Sequence, residues 1–486
     1  MKILFAASEV VPFSKTGGLA DVAGSLPLYL GTAGCDIRVA VPLYQVTQLL
    51  GLALAPVGSP FEIQIGTTFY AGRFFTALLK ETVPVYFVRC DELYNREGLY
   101  GTAAGDYPDN AERFIFYCRA VLELCRQLDF RPDVIHCNDW QTGLIPAYIK
   151  AGFGMGLFDR TAAVFTIHNI AYQGLFEWGQ FQLTGLPDWF YDMRGLEFWG
   201  QMSMLKAGIV FSRFVTTVSR QYAREIQTPE YGGGLEGVLL DRKDYLFGIL
   251  NGVDYDEWNP ATDPFIAGRY TARDVSLKRA CKKDLLAECG LSKKLHAAPL
   301  LGSISRLVDQ KGFDLIAGAI EKIFDLGVCY ILLGTGDPQF EKQFRKIAQR
   351  NKKRMKFFCA HDNRLAHKIE AGCDMFLMPS RYEPCGLNQI YSLKYGTAPI
   401  VRAIGGLDDT IIDYTAQDGS IGTGFKFTKY TPEALFEAVQ RAIAVYRDAP
   451  RWQDVMRAGM ACDFSWGNSA SQYLRLYEAA CTRGGL

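Results

Sequence analysis

Short and nearly continuous apolar runs recur along the chain, with helical stretches between them. Unbroken apolarity over a short run is typical of parallel strands that are covered on both faces of a sheet. In the first half the predicted strands are residues 2–7, 37–41, 83–88, 133–136, 163–167, 214–218 and 245–250. In the second half they are residues 300–304, 329–333, 356–359, 375–378 and 399–401. The pattern therefore predicts parallel sheets.

The alternation of strands and helices indicates α/β domains with right-handed crossovers. A chain of 486 residues is long for one domain, so we expect two. Residues 251–264, NGVDYDEWNPATDP, are rich in turn formers and mark the predicted boundary after a first domain of 1–252. We predict two doubly wound α/β domains that face each other across a deep cleft, with ligands beyond the carboxyl ends of the strands.

Composition excludes several classes of partner. Apolar residues make up 49% of the chain, and lysine plus arginine balance aspartate plus glutamate at 52 each. No overall field therefore favours nucleic acid or an anionic membrane, and the basic run at residues 350–356 is predicted to be a solvated helix end. No apolar stretch is long enough to cross a bilayer, and the first apolar run lacks the form of a signal peptide. We expect neither a nucleic-acid partner nor a membrane partner.

The thirteen cysteines are scattered, with no Cys-x-x-Cys pair and no Cys/His cluster at zinc spacing. An odd and dispersed set of this kind predicts reduced thiols and a cytoplasmic location. Only five histidines are present, so a histidine-rich metal centre is not expected.

The first candidate for chemistry is the loop at residues 14–27, SKTGGLADVAGSLP, which follows the first predicted strand. Gly17 and Gly18 can adopt backbone angles that are closed to other residues, and they leave room for a ligand. A helix beginning behind them would offer free N–H groups and the positive end of a dipole, and Lys15 adds a full charge. The loop suits a phosphate. It also fits a tight turn with a solvated lysine, and the loop alone does not decide.

Other polar residues also follow predicted strands, where the ligands of an α/β sheet bind. They lie in HCNDW at 136–140, THNIAYQG beginning at Thr166, SRLVDQKG at 305–312 and PSRYEPCGL at 379–387. Each has a plainer role as well. His168 could be a hydrogen-bonded core side chain, Asp139 could cap the next helix, and Glu383 could pair with Arg381.

The loop before residue 388 is the most informative of these. Pro384 and Gly386 predict a turn that opens a helix, with backbone N–H groups directed at a ligand and Glu383 at its edge. Arg306 and Lys311 bring two cations on one loop, or they are surface charges. Two cations beside a helix start suit a pyrophosphate, and electrostatic help for a departing phosphate accelerates its transfer.

The segment Asp254-Tyr255-Asp256 has the Asp-x-Asp form of metal-dependent glycosyltransferases. It lies in the predicted boundary between the domains, and its turn-forming neighbours favour a turn over a metal site.

A colinear set of motifs resembles the bacterial glycogen synthases and plant starch synthases. These motifs are KTGGLADV at 15–22, HNIAYQG at 168–174, NGVD at 251–254, RLVDQKG at 306–312, EPCGL at 383–387, GGLDDT at 405–410 and DFSW at 463–466. They run in order from the first strand to the last helix. The resemblance covers nearly the whole chain.

This resemblance implies a GT-B glycosyltransferase with two Rossmann-like domains, the second spanning 253–462, and a C-terminal helix in 463–486 that crosses back to the first. It implies transfer of glucose from ADP-glucose to the non-reducing end of an α-1,4-glucan, with retention of configuration and without a metal or other cofactor.

The resemblance also implies site residues. Binding of the donor is carried over to Lys15, Gly17, Gly18, Asn251, Arg306, Lys311, Cys385, Gly386 and Leu387. Groups around the transferring glucose are Asp139, His168 and Glu383, with Arg306 and Lys311 stabilising the departing diphosphate. Tyr172 and Gln173 are predicted acceptor contacts.

One position departs from the family pattern. Relatives carry a tyrosine that stacks on adenine, and here His361 takes its place within CAHDN at 359–363. A smaller, titratable ring leaves UDP-glucose open as a donor beside ADP-glucose.

Three other activities remain open. An enzyme making a small glycoside commonly has a second glutamate eight residues after the first, where this chain has Tyr391. A glycosidase would need Asp139 and Glu383 about 5 to 9.5 Å apart, and it has no diphosphate for the cationic loop to neutralise. A glucan-binding scaffold that has lost catalysis has little need to keep all of Lys15, His168, Arg306, Lys311 and Glu383.

Overall fold

The computed structural model describes residues 1–102, 104–415 and 421–482. The chain forms two compact units. Unit 1 comprises Met1–Gly252 and Trp466–Leu486, and unit 2 comprises Val253–Ser465.

The strands of unit 1 are β1 Lys2–Ala6, β2 Asp36–Pro42, β3 Ala55–Ile65, β4 Thr68–Leu79, β5 Val83–Arg89, β6 Gly101–Thr102, β7 Gly105–Asp106, β8 Val134–Asn138, β9 Ala162–Ile167, β10 Leu175–Glu177, β11 Glu197–Phe198, β12 Gln201–Ser203, β13 Phe214–Thr217 and β14 Leu246–Gly248. Its helices are α1 Gly18–Thr32, α2 Gln45–Gln48, α3 Asp91–Tyr94, α4 Asn110–Gln127, α5 Leu144–Lys150, α6 Trp178–Gln182, α7 Met204–Phe211, α8 Arg220–Glu225, α9 Glu236–Asp241 and the C-terminal helix Trp466–Cys481.

The main sheet of unit 1 has the strand order β14-β13-β9-β8-β1-β2-β5-β4-β3. Its strands from β14 to β5 are parallel, as the apolar runs predict, whereas β4 pairs antiparallel with both β5 and β3. The prediction of a wholly parallel sheet was therefore wrong at this edge. In β3 the buried Phe61, Ile63 and Ile65 alternate with the exposed Glu62 and Gln64, so one face is wet and no continuous apolar run exists.

The C-terminal helix belongs to the core of unit 1. Its buried Trp466, Tyr473 and Tyr477 lie in one cluster with side chains of the first strand, among them Phe5. Tyr477 also shares a hydrogen bond of 2.6 Å with Nδ1 of His136 on β8. The C-terminal helix is thus part of the same compact unit as Met1–Gly252.

The strands of unit 2 are β15 Leu300–Ile304, β16 Cys329–Leu333, β17 Met355–Phe358, β18 Met375–Met378, β19 Ala398–Arg402 and β20 Phe425–Phe427. Its helices are α10 Lys278–Glu288, α11 Phe313–Asp325, α12 Pro338–Arg350, α13 Asn363–Gly372, α14 Asn388–Lys394, α15 Gly405–Thr410, α16 Pro432–Tyr446 and α17 Ala449–Ala461.

All six strands of unit 2 are parallel, in the order β17-β16-β15-β18-β19-β20. Numbered within the unit, this is the 3-2-1-4-5-6 order of dinucleotide-binding sheets. The helices cover it with apolar faces: α11 buries Ile316, Ile320 and Ile323, which recur at the helical spacing. The basic run that begins at Arg350 lies at the end of α12, as predicted.

Each sheet has a point where the order of the strands reverses. In unit 1 it lies between β1 and β8, and in unit 2 between β15 and β18. Ligands of open α/β sheets bind beyond the carboxyl ends of the strands at such points. The fold therefore directs attention to the residues that follow these four strands.

Two further predictions can be compared with the structure. All thirteen cysteines lie in the described residues and are free thiols. Among the helices of the described residues, none has the length and apolarity that a membrane span needs.

Candidate active site

Asp139 follows β8 directly, at the reversal point of unit 1. Its carboxylate accepts the backbone N–H of His168, 2.7 Å away, and makes no capping bond to the following turn. The alternative role as a helix cap was therefore wrong. Burial raises the pKa of the Asp139 carboxyl to about 7, against hydrogen bonds from the backbone of His168 and Asn169 that lower it. At neutral pH this carboxyl is poised between its two protonation states.

His168 follows β9, the neighbour of β8. Asn138 donates from Nδ2 to the carbonyl of Ala6, so its Oδ1 is the acceptor, 2.9 Å from Nε2 of His168. Nε2 of His168 therefore carries a proton. Burial lowers the pKa of His168 to about 3, so the ring is neutral and Nδ1 keeps a lone pair. A neutral ring of this kind can accept a hydrogen bond from a hydroxyl group.

The glycine loop lies after β1. Gly17 has φ −142° and ψ −170°, which is extended backbone, and Gly18 opens α1 with ordinary helical geometry. The expectation that these glycines adopt angles closed to other residues was wrong. A Cβ atom built on either of them would meet nothing within 4 Å. Their use is the second one predicted, since the absence of side chains leaves the loop open to a ligand.

Glu9 lies between β1 and the glycine loop, and the sequence patterns did not identify it as a site residue. Its buried carboxylate accepts the backbone N–H groups of Thr16 and Gly17, the latter at 3.1 Å, and the hydroxyl of Thr16 at 2.7 Å. Two of the N–H groups expected to meet a phosphate are therefore already bonded to a carboxylate. The available signal was a glutamate directly beyond a buried strand, at the carboxyl edge of a predicted sheet.

Lys15 is exposed, and its ammonium lies 2.7 Å from Oδ1 of Asp21 on the first turn of α1. Burial raises the pKa of the Asp21 carboxyl, while Lys15 lowers it. Lys15 is therefore paired with Asp21 and not with Glu9, and it is not the unpaired, solvated lysine of the alternative interpretation.

The other predicted residues of unit 1 differ in burial and in hydrogen bonding. Asn251 is buried, and within the described residues its Oδ1 has no hydrogen-bond partner. Gln173 donates to the carbonyl of Gly233 at 2.8 Å, and its buried Oε1 is likewise unpaired in the described part of the chain. Tyr172 is half exposed. Unpaired buried oxygens are costly, so Asn251 and Gln173 are suited to receive a hydroxyl group of a ligand.

In unit 2 the reversal point brings Lys311 and Glu383 together. Nζ of Lys311, in the loop after β15, lies 2.6 Å from Oε2 of Glu383, in the loop after β18. Ser380 donates to the same oxygen at 3.0 Å. Arg381 instead pairs with Asp309 at 2.9 Å, so the alternative pairing with Glu383 was wrong. A carboxylate that is only 4% exposed is thus fixed by a cation from the neighbouring loop.

Two glycines position this pair. Gly405 has φ 48°, and a Cβ atom there would lie 1.9 Å from the carbonyl oxygen of Glu383. Gly312 has φ 71°, and its Cβ would lie 2.0 Å from the carbonyl oxygen of Pro379. At both positions only glycine fits, because the backbone is left-handed and another loop passes at contact distance.

Donors for an anion remain free beside this pair. Arg306 follows β15 and is exposed; its carbonyl accepts the N–H of Val308, and its guanidinium makes no hydrogen bond or ion pair with any residue that the structure describes. Gly386 has φ 71°, and the N–H groups of Gly386 and Leu387 have no acceptor in the described ranges. The carbonyl of the buried Cys385 accepts from Gln389 at 3.0 Å, which fixes this turn. Unit 2 therefore presents a cation and two backbone N–H groups beside a buried ion pair.

His361 follows β17 and is exposed, with Nε2 3.0 Å from the hydroxyl of Thr335. Thr335 lies just beyond β16, the next strand of the sheet. The ring is thus placed at the carboxyl edge of the sheet, two strands from β15.

The Asp-x-Asp segment is turn structure, as predicted, because Oδ1 of Asp254 accepts the N–H of Asp256 at 2.9 Å. Among the described residues, no group of three or more His, Cys, Asp or Glu side chains could hold a metal ion.

Comparisons with known proteins identify the family of the chain. The family model of the starch synthase catalytic domain matches residues 2–241, and that of glycosyl transferases group 1 matches residues 292–454. The glycogen synthase of Koribacter versatilis is 47% identical, over 99% of this chain and 98% of that protein. Glycogen synthase 2 of Geobacter sulfurreducens is 45% identical over all of both chains.

Among solved structures, the catalytic domain of starch synthase IV from Arabidopsis thaliana, bound to ADP and acarbose, superposes with a TM-score of 0.90. It is 34% identical and covers 99% of both chains. These matches extend over both units and include the loops that carry Asp139, Lys311 and Glu383. The chain therefore belongs to the glycogen synthase and starch synthase family of GT-B glycosyltransferases.

Proposed function

We propose that this chain transfers glucose from ADP-glucose to the non-reducing end of an α-1,4-glucan, with retention of configuration and without a metal ion. The observation that carries the proposal is the buried Lys311–Glu383 pair at the reversal point of unit 2, with the exposed Arg306 on the same loop as Lys311. The Arabidopsis relative was solved with ADP and acarbose, which supports a nucleotide diphosphate and a glucan as partners here.

In this proposal Arg306 and Lys311 bind the diphosphate that leaves, together with the N–H groups of Gly386 and Leu387. Lys311 is held by Glu383 and the two N–H groups by the backbone of their turn, so these three donors stabilise the charge that develops on the phosphate without reorganising. Cys385 contributes to donor binding through the backbone of its turn. A divalent metal has no role in this scheme because the cations are supplied by the protein.

Residues of unit 1 have proposed roles of their own. Lys15 and the open faces of Gly17 and Gly18 bind the donor phosphates. His168, neutral and with a free Nδ1, accepts a hydroxyl of the glucose, and Asp139 orients the same sugar. Oδ1 of Asn251 contacts the donor. Tyr172 and Gln173 have a different role and contact the acceptor glucan.

For the retaining step we propose attack on the same face from which ADP departs. The bond from the anomeric carbon to the diphosphate breaks, the acceptor hydroxyl forms the new bond, and its proton goes to the departing phosphate. Oε2 of Glu383 is bonded to both Lys311 and Ser380, which favours an orienting and charge-stabilising role over nucleophilic attack. A covalent glucosyl adduct trapped on Glu383 would rule this mechanism out.

In this proposal, His361 governs the preference for the nucleotide base of the donor. Its ring is exposed and hydrogen-bonded to Thr335, so it offers a face for stacking. We propose ADP-glucose as the main donor and UDP-glucose as the second.

The test measures incorporation of labelled glucose into glycogen, with ADP-glucose and UDP-glucose in parallel and with EDTA present. Lys311→Ala is the informative variant, and Lys352→Ala, which removes the same charge from an exposed turn of unit 2, is its matched control. Transfer from ADP-glucose that survives EDTA, collapses in Lys311→Ala and persists in Lys352→Ala supports the proposal. Loss of transfer in EDTA contradicts metal independence, and absence of polymer with either donor contradicts the proposed reaction.

A further inference from the structure

The carboxylate of Glu9 accepts four hydrogen bonds, although the residue lies in a loop. Oε2 accepts the N–H groups of Thr16 and Gly17, and Oε1 accepts the hydroxyls of Thr16 and Tyr100 at 2.7 and 2.9 Å. The side chain is only 4% exposed. A buried carboxylate is stable only when its oxygens are paired, and these four donors achieve that.

Three of the four bonds go to the glycine loop rather than to the core. Gly17 is the N-cap of α1 and has no side chain to bond the free N–H groups at the start of the helix. Glu9, eight residues earlier in the chain, accepts the N–H group of this N-cap residue and that of Thr16 before it, which places a carboxylate near the positive end of the helix dipole. The backbone between Lys15 and Gly18 is therefore fixed from outside the loop.

We propose that Glu9 is a positioning residue for the donor: it fixes the Thr16–Gly17 backbone so that Lys15 and the open side of the glycines meet the diphosphate in one geometry. This inference rests on the proposed role of Lys15, Gly17 and Gly18 in donor binding. Two N–H groups of the loop are already bonded to this carboxylate, so the full positive charge that the loop offers a phosphate is that of Lys15.

A purely structural role for Glu9 makes a different prediction. It would lower the melting temperature of its variants and leave every kinetic constant per folded molecule unchanged. A positioning role raises KM for the nucleotide-glucose and leaves KM for the glucan nearly unchanged, because the loop touches only the donor. The split between the two KM values therefore separates the two roles.

The experiment compares Glu9→Ala with Glu9→Gln. In the glutamine variant one oxygen can accept both N–H groups, and the amide can donate to the two hydroxyls, so every bond is kept without the charge. We expect kcat/KM for ADP-glucose to fall about 100-fold in Glu9→Ala, the scale at which a displacement near 1 Å acts. In Glu9→Gln we expect recovery to within about threefold of the wild type.

Glu123→Ala is the matched control, since it removes a glutamate that accepts three hydrogen bonds elsewhere in unit 1, from Arg126 and Gln127. It should leave KM for ADP-glucose unchanged. If Glu9→Ala does not fold, Thr16→Val removes only the hydroxyl bond to Glu9 and should still raise KM for the donor, whereas Thr16→Ser should not.

Folded Glu9→Ala with wild-type KM for ADP-glucose overturns the inference, as does an equal rise in both KM values. Lys15→Ala distinguishes its failure from that of the proposed function. If Lys15→Ala raises KM for the donor and Glu9→Ala does not, only the role of Glu9 is wrong. If Lys15→Ala has no effect either, the donor role of the loop is wrong as well.

Discussion

Replacing Asp139 by asparagine should stabilise the protein at alkaline pH and leave its stability little changed at acid pH. Burial raises the pKa of this carboxyl from 3.8 to about 7. Asparagine keeps an oxygen for the N–H of His168, and it is one of the residues that tolerate the φ of 56° found here. The substitution therefore removes the buried charge and preserves the local geometry.

The sign follows from proton binding. Below pH 3.8 the carboxyl is protonated in both the folded and the unfolded chain, so it does not oppose folding. As the pH rises towards 7 the unfolded chain loses the proton first, and the wild type loses stability relative to the variant. Between pH 5 and pH 7 this amounts to about 3 kcal/mol at 1.4 kcal/mol per unit of pKa. Partial contact of Asp139 with solvent reduces the expected effect to about half of that.

The assay is thermal unfolding of the wild type and Asp139→Asn at pH 5 and pH 8 in buffers of equal ionic strength. We expect the variant to gain roughly 3 to 6 °C over the wild type at pH 8 and much less at pH 5. Transfer of glucose should fall at both pH values. A buried charge whose removal stabilises the protein is typical of functional sites, where activity is retained at the expense of stability.

A control of opposite sign is Asp463→Asn. Oδ1 of Asp463 accepts the N–H of Ser465, and hydrogen bonds to Ser465 lower the pKa of this carboxyl. Its stabilising effect is present above pH 3.8 and is lost as the pH falls, so its variant should be less stable at pH 8. An equal gain for Asp139→Asn at both pH values, or no gain at either, would refute the assignment of a buried, elevated pKa.

Three further substitutions test the packing of the site. Gly405→Ala should lower the free energy of unfolding by about 2 kcal/mol or more, because its Cβ meets the carbonyl of Glu383; urea titration measures the loss. Lys311→Met should abolish transfer and destabilise unit 2 by roughly 3 to 5 kcal/mol, because it leaves Glu383 buried and unpaired; the same titration measures it. Tyr477→Phe should cost about 1 to 2 kcal/mol by leaving Nδ1 of His136 without a partner, with no change in KM for the donor; calorimetry and a kinetic assay measure both.

Each of these has an outcome that would contradict it. Gly290 has a φ of 65°, and a Cβ atom there would meet nothing within 4 Å. If Gly290→Ala loses as much free energy of unfolding as Gly405→Ala, backbone strain and not the clash with Glu383 causes the loss. Adding Glu383→Gln to Lys311→Met should restore stability, and failure to do so would contradict the unpaired charge as the cause. A Tyr477→Phe protein as stable as the wild type would show that water replaces the lost hydroxyl.

The sequence predicts the central strands well because a strand that is buried on both faces is an unbroken run of apolar residues. Residues 300–304, 329–333 and 375–378 were predicted as strands and have those bounds in the structure. The edge strand β3 records burial on alternate residues only, and the three-residue strands β10 and β12 are too short to leave any pattern.

The candidate site divides in the same way. Lys311 and Glu383 were found because each follows a strand, although 72 residues separate them. Glu9 was missed because its role depends on Tyr100, 91 residues away, and on backbone groups that leave no mark in the sequence. The protonation of Asp139 was also beyond prediction, since its pKa depends on how deeply the fold buries the carboxyl.

The position of the C-terminal helix has a consequence for biosynthesis. Trp466, Tyr473 and Tyr477 complete the core of unit 1, yet the ribosome makes all of unit 2 before it reaches them. At about 5 to 20 residues per second this interval lasts roughly 10 to 40 seconds. Unit 2 can fold during that time, while the nascent unit 1 keeps an apolar surface uncovered. The first half of this chain to be made is therefore the last to complete its core, and until then its uncovered apolar surface is open to aggregation.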